Sequence, residues 1–339
     1  MKNISKSLIL SATAASFCFS ALAQAQSEQL QVVTSFSILK DMVEQVAGDE
    51  AQVSSLVGPN GDTHVFSPSP ADARKLSQAD MLVINGLEFE GWMERLIEAS
   101  GFDGRLVVAT NGVETLAFDE HGEGEHHDDH DDEHHDDHDD HGDEHAGHDH
   151  PDHGEFDPHA WQSLSRAAVY VDNITAALAE ERPSAAAGFT QRSEAYAAEL
   201  AALDARLKAD FATIDEHCRT VVTSHDAFQY FGADYGLKFV APQGLSTASE
   251  ASAKDVAALI EQVRDGGVAG IFVENISDSR LIEQIASETS LVVGGTLFSG
   301  ALSEASGPAP TYLSMIAHNA DKILTALQAA EAAGVCEDH

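Results

Sequence analysis

The sequence predicts an α/β protein of two parallel-sheet βαβ lobes joined by a long rigid helix. Short β-rich runs alternate with amphipathic helical stretches, which is the rhythm of parallel βαβ units. That rhythm occurs twice, before about residue 110 and again after about residue 220, with an Ala-rich stretch lacking any strand signal between. The length of 339 residues also suits two domains once a leader is removed.

Residues 1–25 read as a signal peptide. Lys2 and Lys6 precede an apolar run from Leu8 to Phe19, and Ala21-Leu22-Ala23 or Ala23-Gln24-Ala25 fits a small-x-small cleavage site near residues 23–25. The run is short for a membrane span. Phe17 ahead of Cys18 is a poor setting for lipid attachment, so a soluble exported protein is expected.

The first lobe, residues 26–162, opens with a strand at Gln31–Thr34 and a helix through Met42 and Val46. Val53–Val57 leads through a loop to a helix near Ala71–Leu76. Met81–Ile84 precedes Trp92–Ala99, and Leu106–Val108 closes the set. The second lobe, residues 215–339, places Thr220–Thr223, Leu237–Val240, Gly270–Val273 and Leu291–Val293 each ahead of a helical stretch.

The helical segment between them, residues 163–214, is broken at Pro183, since proline does not continue a helix interior. Beyond it Tyr196, Leu200, Leu203, Leu207, Phe211 and Ile214 recur at helical spacing and form one apolar face. A continuous helix over 184–214 would be about 46 Å long, enough to run along both lobes. A coiled-coil arm is the competing reading, but the stripe covers too few heptads for one.

After the leader two cysteines remain, Cys218 and Cys336. In an exported protein an even pair is most simply one disulfide, with two free thiols as the alternative.

The run from His121 to His159 is unlike the rest. His121, His126, His127, His130, His134, His135, His138, His141, His145, His148, His150 and His153 are twelve of the chain's eighteen histidines. Eighteen of the 57 acidic residues lie within 119–155. Such composition buries no core, so a disordered loop is expected over 119–155. Acid alone would serve as a solubilising spacer. The interleaved imidazoles favour many weak, interchangeable transition-metal sites instead. The net charge of −39 argues against nucleic acid or an anionic membrane surface as partner.

Three further histidines sit just past strands or at the exit of this tract: His64 in Gly58–Pro68, His159 in Asp157-Pro158-His159-Ala160-Trp161, and His225 in Ser224-His225-Asp226-Ala227-Phe228. Ligands of open α/β sheets bind beyond the carboxyl ends of strands, so these loops can converge on one inter-lobe cleft.

Those three segments, with Val273-Glu274-Asn275 and Gly307–Leu313, follow in an order that resembles the solute-binding proteins of metal ABC importers, the zinc-specific ZnuA/AztC-like group. The resemblance covers essentially the whole mature chain. It implies a non-enzymatic, monomeric periplasmic protein that captures Zn2+ between its lobes and delivers it to a membrane permease. A periplasmic zinc chaperone is a further implied partner. His64, His159 and His225 match the family's three histidine positions. Manganese relatives typically place Glu where this chain has His225. Many relatives also supply an Asp from the loop after the last strand, where Gly300 stands here. Three neutral imidazoles would leave the ion's charge unbalanced, so water or a group from the tract is the favoured fourth ligand, with Asp62 and Glu274 as further candidates for fourth ligand or charge partner. Three histidines plus water is also the arrangement of a catalytic zinc site. No HExxH motif accompanies it. An extracellular adhesin or metal buffer on the same scaffold is the third reading.

Overall fold

The computed structural model describes residues 29–117 and 156–336, except 266 and 290. The signal peptide and nearly all of the His/Asp-rich tract lie outside the described residues.

The first lobe is a four-stranded parallel sheet in the order β2-β1-β3-β4, built from β1 (Leu30–Thr34), β2 (Ala51–Ser55), β3 (Met81–Ile84) and β4 (Arg105–Val108). Helices α1 (Ser37–Ala47), α2 (Pro70–Leu76) and α3 (Met93–Ser100) connect them. Next come α4 (Leu164–Glu181) and α5 (Ala186–Phe211), separated by a 3-10 turn at Pro183–Ala185. The second lobe repeats the topology as β6-β5-β7-β8, from β5 (Thr220–Val222), β6 (Lys238–Val240), β7 (Val268–Glu274) and β8 (Val293–Leu297). Its helices are α6 (Gln229–Tyr235), α7 (Ala253–Arg264), α8 (Arg280–Thr289) and the terminal α9 (Tyr312–Ala332).

Local chemistry accounts for several boundaries. Ser69 caps α2 in a capping box, its hydroxyl accepting from Ala71 and Asp72 amides while the Asp72 carboxylate accepts from the Ser69 amide. Pro70 occupies the first helical position, where its missing N–H costs nothing. At the end of α1, Arg192 from α5 donates to the carbonyls of Val46 and Ala47 at 2.6 and 2.9 Å, supplying donors to orphan carbonyls at a helix C-terminus.

The helix α5 is about 39 Å long at 1.5 Å per residue. It buries Tyr196, Leu200, Leu207 and Phe211, with Ile214 buried just beyond it. One apolar cluster runs without interruption from Val32 and Phe36 through Trp161 and α5 to Phe231, Tyr312 and Leu327. The two sheets therefore share a core. A smaller cluster around Ile260, Ile271 and Ile285 packs the outer helices of the second lobe.

One strand lies elsewhere than the sequence predicts. The apolar run Leu291–Val293 suggests the last strand, whereas β8 starts at Val293 and continues through Gly294 and Gly295. A Cβ at Gly294 would sit 2.5 Å from the Phe272 ring of β7. That ring takes the space a side chain would use, so glycine replaces the usual β-branched signal. Among the described residues no helix is long and apolar enough to cross a membrane.

Cys218 and Cys336 form a disulfide joining the start of the second lobe to the segment after α9. Their separation of 118 residues corresponds to a chain-entropy contribution of about 4–5 kcal/mol, before native strain. Thiol labelling of the unfolded, unreduced protein should find no free thiol at either position. Cys336→Ser should lower the unfolding free energy in denaturant titration by about 2–5 kcal/mol.

Candidate metal centre

His64, His159 and His225 come together at the carboxyl ends of both sheets, each offering a ring nitrogen within 4.8 Å of the others. His64 is on the loop after β2, and His225 follows β5. His159 sits on the segment that returns to the first lobe through an antiparallel bridge between Ala117 and Phe156. The Nε2 atoms of His64 and His159 are 3.4 Å apart. His159 and His225 are fully buried, and His64 is half-buried and marks the side that solvent reaches.

Two of the loops use the same local device, an Asp two residues before the His. The Asp62 carboxylate accepts from the His64 amide at 2.9 Å, and Asp157 accepts from the His159 amide at 2.8 Å. These Asx turns fix the backbone that presents each imidazole. The remaining contacts of the two carboxylates diverge. Asp62 Oδ2 accepts from the Thr247 hydroxyl across the cleft at 2.5 Å. Asp157 Oδ1 also faces His159 Nδ1 at 2.8 Å, turning Nε2 toward the cluster. His225 is oriented the same way from the other lobe. Glu274, at the end of β7, accepts from the His225 amide at 2.9 Å and lies 2.5 Å from its Nδ1. A carboxylate on the far nitrogen fixes the tautomer and raises the basicity of a ligating imidazole.

Of the two carboxylates expected as a fourth ligand or charge partner, Glu274 is therefore turned to the Nδ1 of His225 and Asp62 to Thr247. Neither belongs to the cluster of converging atoms. Asp157 is the group that sequence reasoning missed. The repeated D-x-H spacing at Asp62/His64 and Asp157/His159 was its signal. Together Asp157 and Glu274 place two carboxylates one imidazole away from the centre, enough to balance a divalent cation.

Burial drives the titration of the site. It holds His64 well below its ordinary value, with the neighbouring imidazoles adding to the effect, and it lowers His159 likewise. Both rings are neutral near pH 7 and have a lone pair to donate. Burial also opposes charge on His225, but the Glu274 carboxylate outweighs it and holds this histidine above its ordinary value. Asp157 is pushed up to about 7 by desolvation, so a cation among the rings would stabilise its charged form.

Aromatic rings line the other flank. Phe89 meets His64 edge-on at 4.8 Å between centroids, and Trp161 meets His159 at 5.1 Å. Phe89 rides on a turn in which Gly86, Leu87 and Glu88 have φ of 91°, 52° and 61°. Left-handed backbone costs a side-chain-bearing residue about 1–2 kcal/mol. Gly300 is not in that region, and a Cβ there would meet only the tip of Ile276, at 3.1 Å.

An ion held by the three rings must displace the Nε2 proton of His225 wherever that histidine is charged. Apparent affinity should therefore fall as the pH drops through the raised His225 pKa, while His64 and His159 compete only in stronger acid. Calorimetry in buffers of different ionisation enthalpy should detect proton release near neutral pH. Glu274→Gln should diminish that release and weaken affinity by about 10- to 100-fold.

The family model for "ZnuA: Zinc-uptake complex component A periplasmic" matches residues 32–326. The iron-binding protein YfeA of Yersinia pestis is 31% identical over 296 residues, covering 87% of this chain and 86% of the relative. The manganese-binding lipoprotein MntA of Bacillus subtilis is 30% identical over 306 residues, covering 89% and 90%. Among solved structures, the periplasmic zinc-binding protein TroA of Treponema pallidum superposes with a TM-score of 0.75 at 27% identity, over 88% of this chain and 99% of that one. Since the match runs through both lobes and all three histidine loops, the chain belongs to the ZnuA family, the periplasmic metal-binding components of ABC metal importers.

Proposed function

We propose that this protein captures Zn2+ with His64, His159 and His225 and passes it to the membrane permease of a zinc ABC importer. The observation that carries the reading is the donor set among the described residues, three converging imidazole nitrogens with no carboxylate oxygen in the group. Imidazole suits zinc and its borderline neighbours, whereas manganese favours carboxylate, carbonyl and water oxygens. Relatives are named for iron, manganese or zinc, so this chain's own ligands decide the choice. The alternative of a catalytic zinc on three histidines gives way, because the family carries metal for transport and is not a family of enzymes.

The tract within 119–155 then serves as a collector. The described chain on either side of it meets at the Ala117–Phe156 bridge, three residues before His159. Weak, exchangeable ligands tethered there raise the local zinc concentration beside the tight site. Cleavage near residues 23–25 releases a monomer into the periplasm, where a zinc chaperone is the kind of partner that would load it.

Zinc titration against a competing chelator tests the reading. Replacing His64, His159 or His225 by Ala should weaken binding far more than replacing His217, which is exposed, or His318, whose ring faces the Thr296 carbonyl away from the cluster. Equal, small losses at all five would sink it. Deletion of 119–155 should leave one tight ion and remove the weak stoichiometry. If the tight site vanished as well, a ligand would reside in the tract.

Gly300→Asp is a second test. With no positive φ at residue 300, the added side chain brings no backbone strain. It should tighten zinc binding and slow release at unchanged apo stability. Unchanged affinity in the folded variant would mean that another group already fills the fourth position.

A further inference from the structure

We infer that Phe89 determines metal specificity by walling off one flank of the three histidines, so that a bound ion is held at four-coordination. The inference rests on the zinc reading above and deepens it.

The ring is buried and touches both first-lobe ligands, His64 at 4.8 Å and His159 at 5.8 Å between centroids, in edge-to-face geometry. Behind it lie Trp161 at 4.8 Å and Phe36 at 5.2 Å, both fully buried. This flank presents aromatic carbon rather than oxygen donors. On the Nδ1 side of the other rings, Asp157 and Glu274 are already committed to His159 and His225. What remains open is the side of the half-buried His64. Zinc is satisfied there by three nitrogens and one further ligand in a tetrahedron. Manganese and other oxygen-preferring ions want an octahedral shell, and the additional waters would have to stand where the Phe89 ring is.

The chain goes to some length to put this ring in place. Gly86, Leu87 and Glu88 are successively left-handed, and two of the three carry side chains. Strain of this kind persists only where surrounding structure enforces it, and it concentrates at ligand clamps. The enforcing group is Glu90, a buried carboxylate that accepts from the Ser35 hydroxyl at 2.6 Å and from the Asn85 and Gly86 amides at 2.7 and 3.1 Å. Asn85 in turn donates to the Pro158 carbonyl at 2.9 Å and accepts from Tyr170 at 2.6 Å. The turn that sets the wall is thus bonded to the segment that carries His159.

Cobalt(II) is the probe, because its visible absorption separates four-coordinate from five- or six-coordinate ions and a merely structural role would not change it. The wild-type Co(II) complex should show the intense bands of a tetrahedral ion. Phe89→Ala should lose most of that intensity, and its zinc-to-manganese affinity ratio should fall at least tenfold. Phe89→Val, a milder truncation that keeps an apolar contact, should move both readings in the same direction if Phe89→Ala fails to fold. A folded Phe89→Ala or Phe89→Val with unchanged spectrum and ratio overturns the proposal, as does a wild-type Co(II) spectrum that is already six-coordinate. A wild type that prefers manganese would refute the zinc reading and the specificity role together, whereas a zinc-preferring wild type whose truncations change neither reading would refute the role of Phe89 alone.

Discussion

The centre of this protein depends on burying imidazoles and orienting them at the same time. A buried histidine has two ring nitrogens to satisfy, and leaving one without a partner costs free energy. Asp157 meets that demand at Nδ1 of His159 by a hydrogen bond, and Glu274 stands against Nδ1 of His225 as an ion-pair partner. Asp157 thereby sets the tautomer that leaves Nε2 of His159 free, while Glu274 orients a His225 whose Nε2 proton an ion would displace. The same carboxylates supply the negative charge that the three neutral ligands lack. Orientation and charge balance are therefore one arrangement, and it is built from residues outside the cluster of converging nitrogens.

Convergence of histidines from two lobes needs the lobes to hold a fixed relation, and the core provides it. Because the main apolar cluster passes from one sheet to the other through Trp161 and α5, moving the lobes apart would expose large aromatic surface. Polar ties reinforce the packing. The Trp161 indole and Gln162 amide both donate to the Ser299 carbonyl, Tyr312 donates from its amide to Asp41, and the Leu302 amide donates to Ser37. The His64 loop is tied to the opposite lobe as well. Asp62–Thr247 and Asn60–Asn275 join it through side chains, and the Asn60 amide donates to the Leu302 carbonyl at 2.9 Å. The histidine nearest solvent thus sits on a loop held across the cleft by polar contacts.

Much of this is legible in the sequence. The alternation of strands and helices, the helical stripe from Tyr196 to Ile214, the cysteine pair and the three histidines past strand ends are all local patterns. Each follows from side-chain periodicity or from the rule that loops at the carboxyl ends of parallel strands share one face. The strand through Gly294 escapes such reading because its signal is not local: Phe272 on the neighbouring strand occupies the space that a β-branched residue would fill.

Spacing along the chain is enough to dictate most of the elements, their order and the three histidines that converge. What each charged group does is settled only when the chain is folded. Glu274 and Asp62 are equally plausible ligands as letters, yet one faces an imidazole and the other a threonine. Asp157 reads as part of a turn until its carboxylate is seen against the His159 ring, and Phe89 reads as an ordinary core residue until it is seen against two ligands. The physical reason is common to all four. Coordination, second-nitrogen bonding and exclusion of water are set by distances of a few ångströms between groups brought together by folding, and no periodicity in one segment encodes them.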